Sequence, residues 1–201
     1  MTVAFVRRFL PRLGPIKWCV ASVLFRVPFL RQFFLWLGCV PADRAILEQT
    51  LAEPGGKVAL MPGGIAEIFL SSRDREQIFL QQRRGFVRLA AGAKADIVPV
   101  YIFGQTRLFD QLATSDGLAM RLSRRFSASL TFFWGRGYLP IPYKTAITVI
   151  VGDPIELDQS LDPADGDGIA RAHATVCSHM ESMYRQHQAT AGYGGIPLEI
   201  K

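Results

Sequence analysis

Two short blocks of this 201-residue sequence carry residue types that could do chemistry. Pro62-Gly63-Gly64-Ile65-Ala66-Glu67 sets a pair of glycines ahead of a carboxylate. Without Cβ atoms, glycines let backbone N–H groups approach a phosphate or a thioester carbonyl closely, and a carboxylate at that depth can orient a hydroxyl or a cation. Further on, Arg83-Arg84-Gly85-Phe86 places two cations where a helix is expected to begin. The free N–H groups and dipole of a helix start also favour an anion, so a phosphate site is the chemistry this block would support. Each block has a plainer reading alone: a Gly-Gly pair after a strand makes a tight turn, and paired arginines beside a packing phenylalanine are often merely solvated.

Other chemistries lose support. The histidines are His173, His179 and His187, all in the last expected helix, and none begins an H-x-x-x-x-D pair of base and orienting carboxylate. The sequence has no G-x-S-x-G elbow, Walker loop or G-x-G-x-x-G fingerprint, which speaks against hydrolase, P-loop and dinucleotide readings. His173 and Cys177 are spaced to share a helix face, but two ligands are too few for a structural zinc site, and no metal or cofactor is expected. Three histidines on a surface helix are expected to be solvated or to face a partner. Cys19, Cys39 and Cys177 are odd in number and contain no C-x-x-C pair, the pattern of reduced thiols facing the cytosol.

The elements that must position these blocks follow from periodicity and breakers. Helical patterns near 16–25 and 29–37, divided by Pro28, predict a helical lobe. Asp43 is the expected N-cap of a helix through about Leu51, stopped by Pro54-Gly55-Gly56. A short buried strand over 57–61 then runs into the Pro62-Gly63-Gly64 turn, placing Glu67 just past a strand end, where sites form in open α/β sheets. Strands are predicted over 76–80, 96–103, 129–134 and 145–151, with a helix over 84–93. A loop and amphipathic helix are expected over 110–126, and a long helix over 163–189 precedes an irregular tail after Gly192. Strands alternating with helices indicate an α/β domain with a mixed sheet.

Charge refines this picture. The net charge is +6, yet no acidic residue occurs from Met1 to Ala42, where Arg7, Arg8, Arg12, Lys17, Arg26 and Arg31 alternate with phenylalanine, tryptophan and leucine. Rings mixed with long cationic side chains suit a lipid interface. Cations and prolines interrupt this stretch before it reaches the roughly 20 apolar residues a bilayer span needs, and no cleavage site marks a signal peptide. The expected division is therefore a membrane-associated apolar and basic helical segment over 1–41 and an α/β domain over 42–201. A nucleic-acid module is not indicated, since charge is the sole argument for one.

Taken in order, the blocks resemble the diacylglycerol acyltransferase type-2 family, which includes monoacylglycerol and wax-alcohol acyltransferases. The resemblance rests on Leu24-Phe25-Arg26-Val27-Pro28-Phe29-Leu30-Arg31, on Pro62-Gly63-Gly64 with Glu67, and on Arg83-Arg84-Gly85-Phe86-Val87-Arg88-Leu89-Ala90. It continues through Ala95 to Tyr101, Phe103-Gly104, Gly135-Arg136-Gly137, Pro142-Tyr143 and Val151-Gly152-Asp153-Pro154-Ile155, covering nearly the whole chain.

The resemblance implies a glycerolipid acyltransferase-like α/β domain, a mixed sheet flanked by helices, with an N-terminal membrane-associated helical lobe. It implies substrate-binding roles for Pro62, Gly63, Gly64, Glu67, Arg83, Arg84, Gly85 and Phe86. Arg84 stands where relatives often carry lysine, and Gln105-Thr106 replaces a Glu-Asn pair of some animal relatives. The family's catalytic histidine lies in an H-P-H-G block ahead of the region matching Leu24 to Arg31, so no residue here inherits that role and an N-terminally truncated chain is expected. The implied reaction is acyl transfer from acyl-CoA to diacylglycerol, giving triacylglycerol, without a metal. Monoacylglycerol, wax alcohol or phytol are alternative acceptors, and a non-catalytic membrane-bound lipid- or CoA-binding module is the alternative of a different class. The implied partners are acyl-CoA, diacylglycerol and a membrane lipid surface, with homo-oligomerisation left open. The implied location is the cytosolic face of the endoplasmic reticulum membrane or a lipid droplet.

Overall fold

The computed structural model describes residues 14–63, 75–111, 133–139 and 141–201. Strand β1 spans Lys17–Val20, a 3-10 turn follows over Ser22–Arg26, and helix α1 spans Pro28–Trp36. Pro28 occupies the first helical position, where its missing N–H leaves no intrahelical bond unmade. After β2 (Cys39–Pro41), helix α2 (Arg44–Ala52) begins behind Asp43, which is the N-cap by position but makes no side-chain capping bond. Strand β3 covers Val58–Ala59.

β1 lies between β2 and β3 and pairs with both in parallel, with Trp18 opposite Cys39 and Lys17 opposite Val58. The helix expected near 16–25 is thus replaced by a strand and a 3-10 turn. The partners that supply hydrogen bonds to β1 lie far along the chain, and such pairing outweighs a weak local helical pattern. Residues 1–41 thereby contribute two strands to a sheet completed by the chain after Ala42. Among the described residues no helix is long and apolar enough to cross a membrane.

The remaining elements are β4 (Glu76–Ile78), α3 (Gly85–Ala93), β5 (Val100–Phe103), β6 (Asp110–Gln111), β7 (Phe133–Trp134), β8 (Thr148–Val151), α4 (Gly166–His187) and β9 (Leu198–Ile200). β5 and β8 pair antiparallel, as do β6 and β7, whereas β4 and β9 pair in parallel with Glu76 opposite Leu198. The fold is mixed α/β, with both strand directions present. Where one mixed sheet was expected, the described residues form small separate sheets. The long strand expected over 96–103 is reduced to Val100–Phe103 plus a bridge between Ile97 and Ile155. The tail expected to be irregular supplies β9. Of the loop and amphipathic helix expected over 110–126, Asp110 and Gln111 form β6 and the rest lies outside the described residues, as does most of the strand over 129–134.

α4 joins the two parts of the core. Asp165 caps it by accepting the Asp167 N–H at 3.0 Å, and Asp167 in the first turn and Arg185 in the last complement the helix dipole. Near its start Ile169 packs with Val87, Ala90, Ala91 and Leu157; near its end Met183 and Tyr184 pack with Tyr101, Phe103 and Tyr193. The turn after β5 needs glycine at position 104: its φ is +92°, and a Cβ there would collide with the Ala146 carbonyl.

Candidate functional site

The Arg83-Arg84-Gly85-Phe86 block sits where the sequence predicts, at the entry to α3. Arg84 is the N-cap residue, Gly85 the first helical residue, and the first turn carries no acidic side chain. Arg83 and Arg84 are exposed, and so is Arg88 one turn on. Arg84 and Arg88 are four apart on one helix and therefore neighbours on its surface. Among the described residues none of these three guanidiniums has an ion-pair partner. Three unpaired cations beside the positive end of a helix dipole repel it and one another, and an anion bound there would relieve both. Arg88 was not singled out from sequence as a site residue, although the i, i+4 spacing from Arg84 was available to find it.

Gly85 contributes by having no side chain. A Cβ there would meet nothing within 4 Å, and its φ is not in the left-handed region, so neither packing nor backbone conformation demands glycine. Gly85 is itself exposed, and no side chain caps the N–H groups at the start of α3. Phe86 is half-buried and packs on the Val87, Ala90, Ala91, Leu157 and Ile169 cluster, holding the helix start against α4.

The turn before α3 is held from three directions. The Leu80 carbonyl accepts the Arg83 N–H at 2.9 Å and also the His173 Nε2–H at 2.8 Å. Gln81 N–H donates to the Lys201 carbonyl at 2.8 Å, tying the turn to the end of β9. The expectation of a solvated or partner-facing His173 is corrected: it is 5% exposed, with its ring centroid 6.0 Å from that of Phe86. The signal was in the spacing, because His173 lies four residues after Ile169 and three before Val176, on the buried stripe of α4. Cys177 Sγ is 3.8 Å from His173 Nδ1, and burial, then the Glu181 charge, pushes its thiol pKa up. That favours the neutral thiol over the thiolate a metal requires. His179 and His187 donate Nδ1–H to the backbone carbonyls of Thr175 and Met183, each at 2.9 Å.

In the other block, Pro62 and Gly63 form a turn just after β3, with Gly63 buried and Pro62 half-buried. Gly64 and Glu67 lie outside the described residues.

One buried polar group gave no sequence signal. Glu76, 4% exposed at the start of β4, accepts the Tyr101 hydroxyl at 2.7 Å and the Thr106 hydroxyl at 3.1 Å. Burial, the Glu76 charge and this bond all push the Tyr101 pKa up. Tyr184 is pushed up to about 12, first by burial and then by Glu76. The bond to Glu76 makes Thr106 a structural member of the 105–106 pair, and Gln105 is the exposed one.

The profile of the diacylglycerol acyltransferase family matches residues 4–200. This chain belongs to that family. Among its relatives, human (Homo sapiens) 2-acylglycerol O-acyltransferase 3 is 31% identical over 186 residues, covering 86% of this chain and 54% of that protein. Diacylglycerol O-acyltransferase 2 of Bos taurus is 30% identical over 181 residues, covering 84% and 50%. Acyl-CoA wax alcohol acyltransferase 2 of Mus musculus is 28% identical over 203 residues, covering 95% and 60%. The chain thus spans about half to three-fifths of these family members' length. The names of the three relatives specify different acceptors, so membership of the family does not choose among them. No solved structure matches the chain.

Proposed function

We propose that this chain carries the acyl-CoA-gripping part of an O-acyltransferase, with diacylglycerol as the acceptor and triacylglycerol as the product. The observation that carries this reading is the Arg83-Arg84-Gly85 entry to α3, where exposed cations without an ion-pair partner among the described residues meet helix N–H groups that no side chain caps, in a chain of this family. Coenzyme A presents several phosphate oxygens, and guanidinium groups recognise phosphate by charge-assisted, often paired hydrogen bonds.

In the reaction, the acceptor hydroxyl oxygen attacks the thioester carbonyl, the ester C–O bond forms, the C–S bond breaks, and the hydroxyl proton balances the departing CoA thiolate. The arginine turn holds the donor by its phosphates so that the thioester is presented rather than free, which makes attack effectively intramolecular. The chain's own histidines serve other ends: one nitrogen of each ring, Nε2 of His173 and Nδ1 of His179 and His187, is committed to a backbone carbonyl.

We further propose that the site works at a lipid surface, on the cytosolic face of the endoplasmic reticulum. The support is α1, none of whose nine residues is buried: Phe29 is 89% and Trp36 78% exposed, with Arg31 between them. Aromatic rings and a cation on one short exposed helix suit the headgroup layer.

The test is turnover of labelled acyl-CoA with diacylglycerol by the chain expressed in microsomes, alongside equilibrium binding of CoA. Replacing Arg83 and Arg84 together by alanine should weaken CoA binding by about 100-fold, from two lost charge-assisted contacts of about 1.5 kcal/mol each. Unchanged binding would refute the placement of the donor. CoA binding with no ester formed would instead favour a lipid- or CoA-binding module.

A further inference from the structure

We propose that His173 is a positioning residue for this donor site, and that its Nε2–H acts through the Leu80 carbonyl to hold the arginine turn in its ligand-ready shape. The proposal rests on the assignment of Arg83 and Arg84 to the acyl-CoA phosphates. Leu80 ends the β4 side of the turn and Arg83 ends the other, and the Leu80 carbonyl accepts both the Arg83 N–H and the His173 Nε2–H, at 2.9 and 2.8 Å. A carbonyl has two acceptor lone pairs, and this one satisfies both inside the protein. The histidine bond therefore sets the direction of the carbonyl from which the arginine backbone hangs.

The second contact acts at the other side of the block. The His173 ring lies 6.0 Å, centroid to centroid, from Phe86, the second residue of α3, whose start no side chain caps. One imidazole from α4 thus bonds the carbonyl that also holds the Arg83 N–H and lies beside the Phe86 ring at the far end of the block. Its bond to a carbonyl requires the proton on Nε2, and the Cys177 thiol lies beside the ring, 3.8 Å from Nδ1 and 3.9 Å from Nε2. Burial gives the arrangement its leverage, because a ring 5% exposed has few alternative orientations and little water to replace a lost partner. None of this chemistry touches the ligand, so His173 should change the affinity of the site without being part of its surface.

A paired substitution separates positioning from folding. His173→Gln keeps an N–H donor near the Nε2 position, whereas His173→Asn places its amide one bond short of the Leu80 carbonyl. Both introduce a neutral amide at the same buried site. With CoA as the ligand, measured by equilibrium binding to the purified 201-residue chain in detergent, His173→Asn should raise Kd roughly fivefold, the effect of losing one hydrogen bond. His173→Gln should bind within twofold of the native chain. Added to the Arg83→Ala, Arg84→Ala double variant, His173→Asn should give no further loss, since the groups it positions are already gone. Equal affinity of the Asn and Gln variants, or a His173→Asn loss that adds fully to the arginine losses, overturns the proposal while leaving the donor-site assignment standing. Native-like CoA affinity of the arginine double variant overturns both.

Discussion

Gly85→Ala discriminates between a glycine kept for ligand approach and one kept for packing. A Cβ at position 85 would have no neighbour within 4 Å, and the backbone is at the first helical position outside the left-handed region. On folding grounds alone the substitution should therefore help. It removes conformational freedom from the unfolded chain, worth about 0.4–1 kcal/mol at a compatible site, and improves helix propensity. For a chain of this length about 1 kcal/mol moves the melting temperature by roughly 2–4 °C, so a rise of about 1–3 °C is expected by calorimetry.

Binding should move the other way. The new methyl group stands over the first N–H groups of α3, and losing one charge-assisted contact from a phosphate there, about 1.5 kcal/mol, raises the Kd for CoA roughly tenfold. Stability up with affinity down is a combination that simple damage cannot produce. A raised melting temperature with unchanged CoA affinity would refute the placement of the phosphate at this helix start. A lowered melting temperature would refute the inference that the space beside Gly85 is empty.

The buried carboxylate and the exposed helix yield further tests. Tyr101→Phe removes the 2.7 Å bond to Glu76 from a site 4% exposed, and should cost about 2 kcal/mol in denaturant unfolding; a loss below 0.5 kcal/mol would mean the carboxylate finds another donor. In the same fold Tyr101 and Tyr184, the latter pushed up to about 12, keep their protons while unfolded tyrosines ionise near about pH 10. The unfolded chain then binds fewer protons than the native one, so stability is fully present below about pH 10 and falls as pH rises through the folded values. Cys19, pushed up to about 11 from 9.0 by burial and then by Cys39, starts the decline earlier. Melting temperatures from pH 8 to 12 should trace this fall and flatten in the Tyr101→Phe variant; an unchanged slope would remove Tyr101 from the account. Phe29→Asp with Trp36→Asp should at least halve sedimentation with vesicles containing anionic lipid, and undiminished sedimentation would defeat the role given to α1.

The parts of the fold legible from sequence were those held by local rules. The helix predicted over 84–93 is α3 within one residue, because Val87, Leu89, Ala90 and Ala91 form a buried stripe with no breaker inside it. The stop at Pro54-Gly55-Gly56 and the strand at Thr148–Val151 were legible for similar reasons. What failed depended on distant partners. Lys17–Val20 carries no strong strand signal, and becomes a strand because Cys39–Pro41 and Val58–Ala59 lie on either side. Leu198–Ile200 is too short to announce itself and is defined by pairing with Glu76–Ile78, more than a hundred residues earlier in sequence. Glu76 reads as an ordinary strand-edge carboxylate until Tyr101 and Thr106 are brought to it. The candidate site divided the same way: the arginine block is recognisable from residue type and the burial of His173 from its spacing, whereas the bonds by which His173 and Lys201 support the turn need the fold.

In the proposed donor site, those supports would tie stability and ligand affinity together in a particular order. The arginine turn hangs between β4, whose partner β9 is the last strand of the chain, and α3, which packs through Phe86 and Val87 on α4. Both restraints depend on residues after 166, so the arginine turn cannot acquire its described geometry until α4 and β9 have docked, although its own residues are complete by position 86. Tyr184 adds to this dependence by donating its hydroxyl to the Ile196 carbonyl at 2.8 Å, fixing the path of the tail into β9. Loss of β9 would therefore release the Gln81 bond and the β4 pairing while leaving the His173 bond in place. The affinity cost of shortening the C-terminus should accordingly exceed that of His173→Asn, because it loosens the strand that carries the turn as well as one of the turn's own restraints.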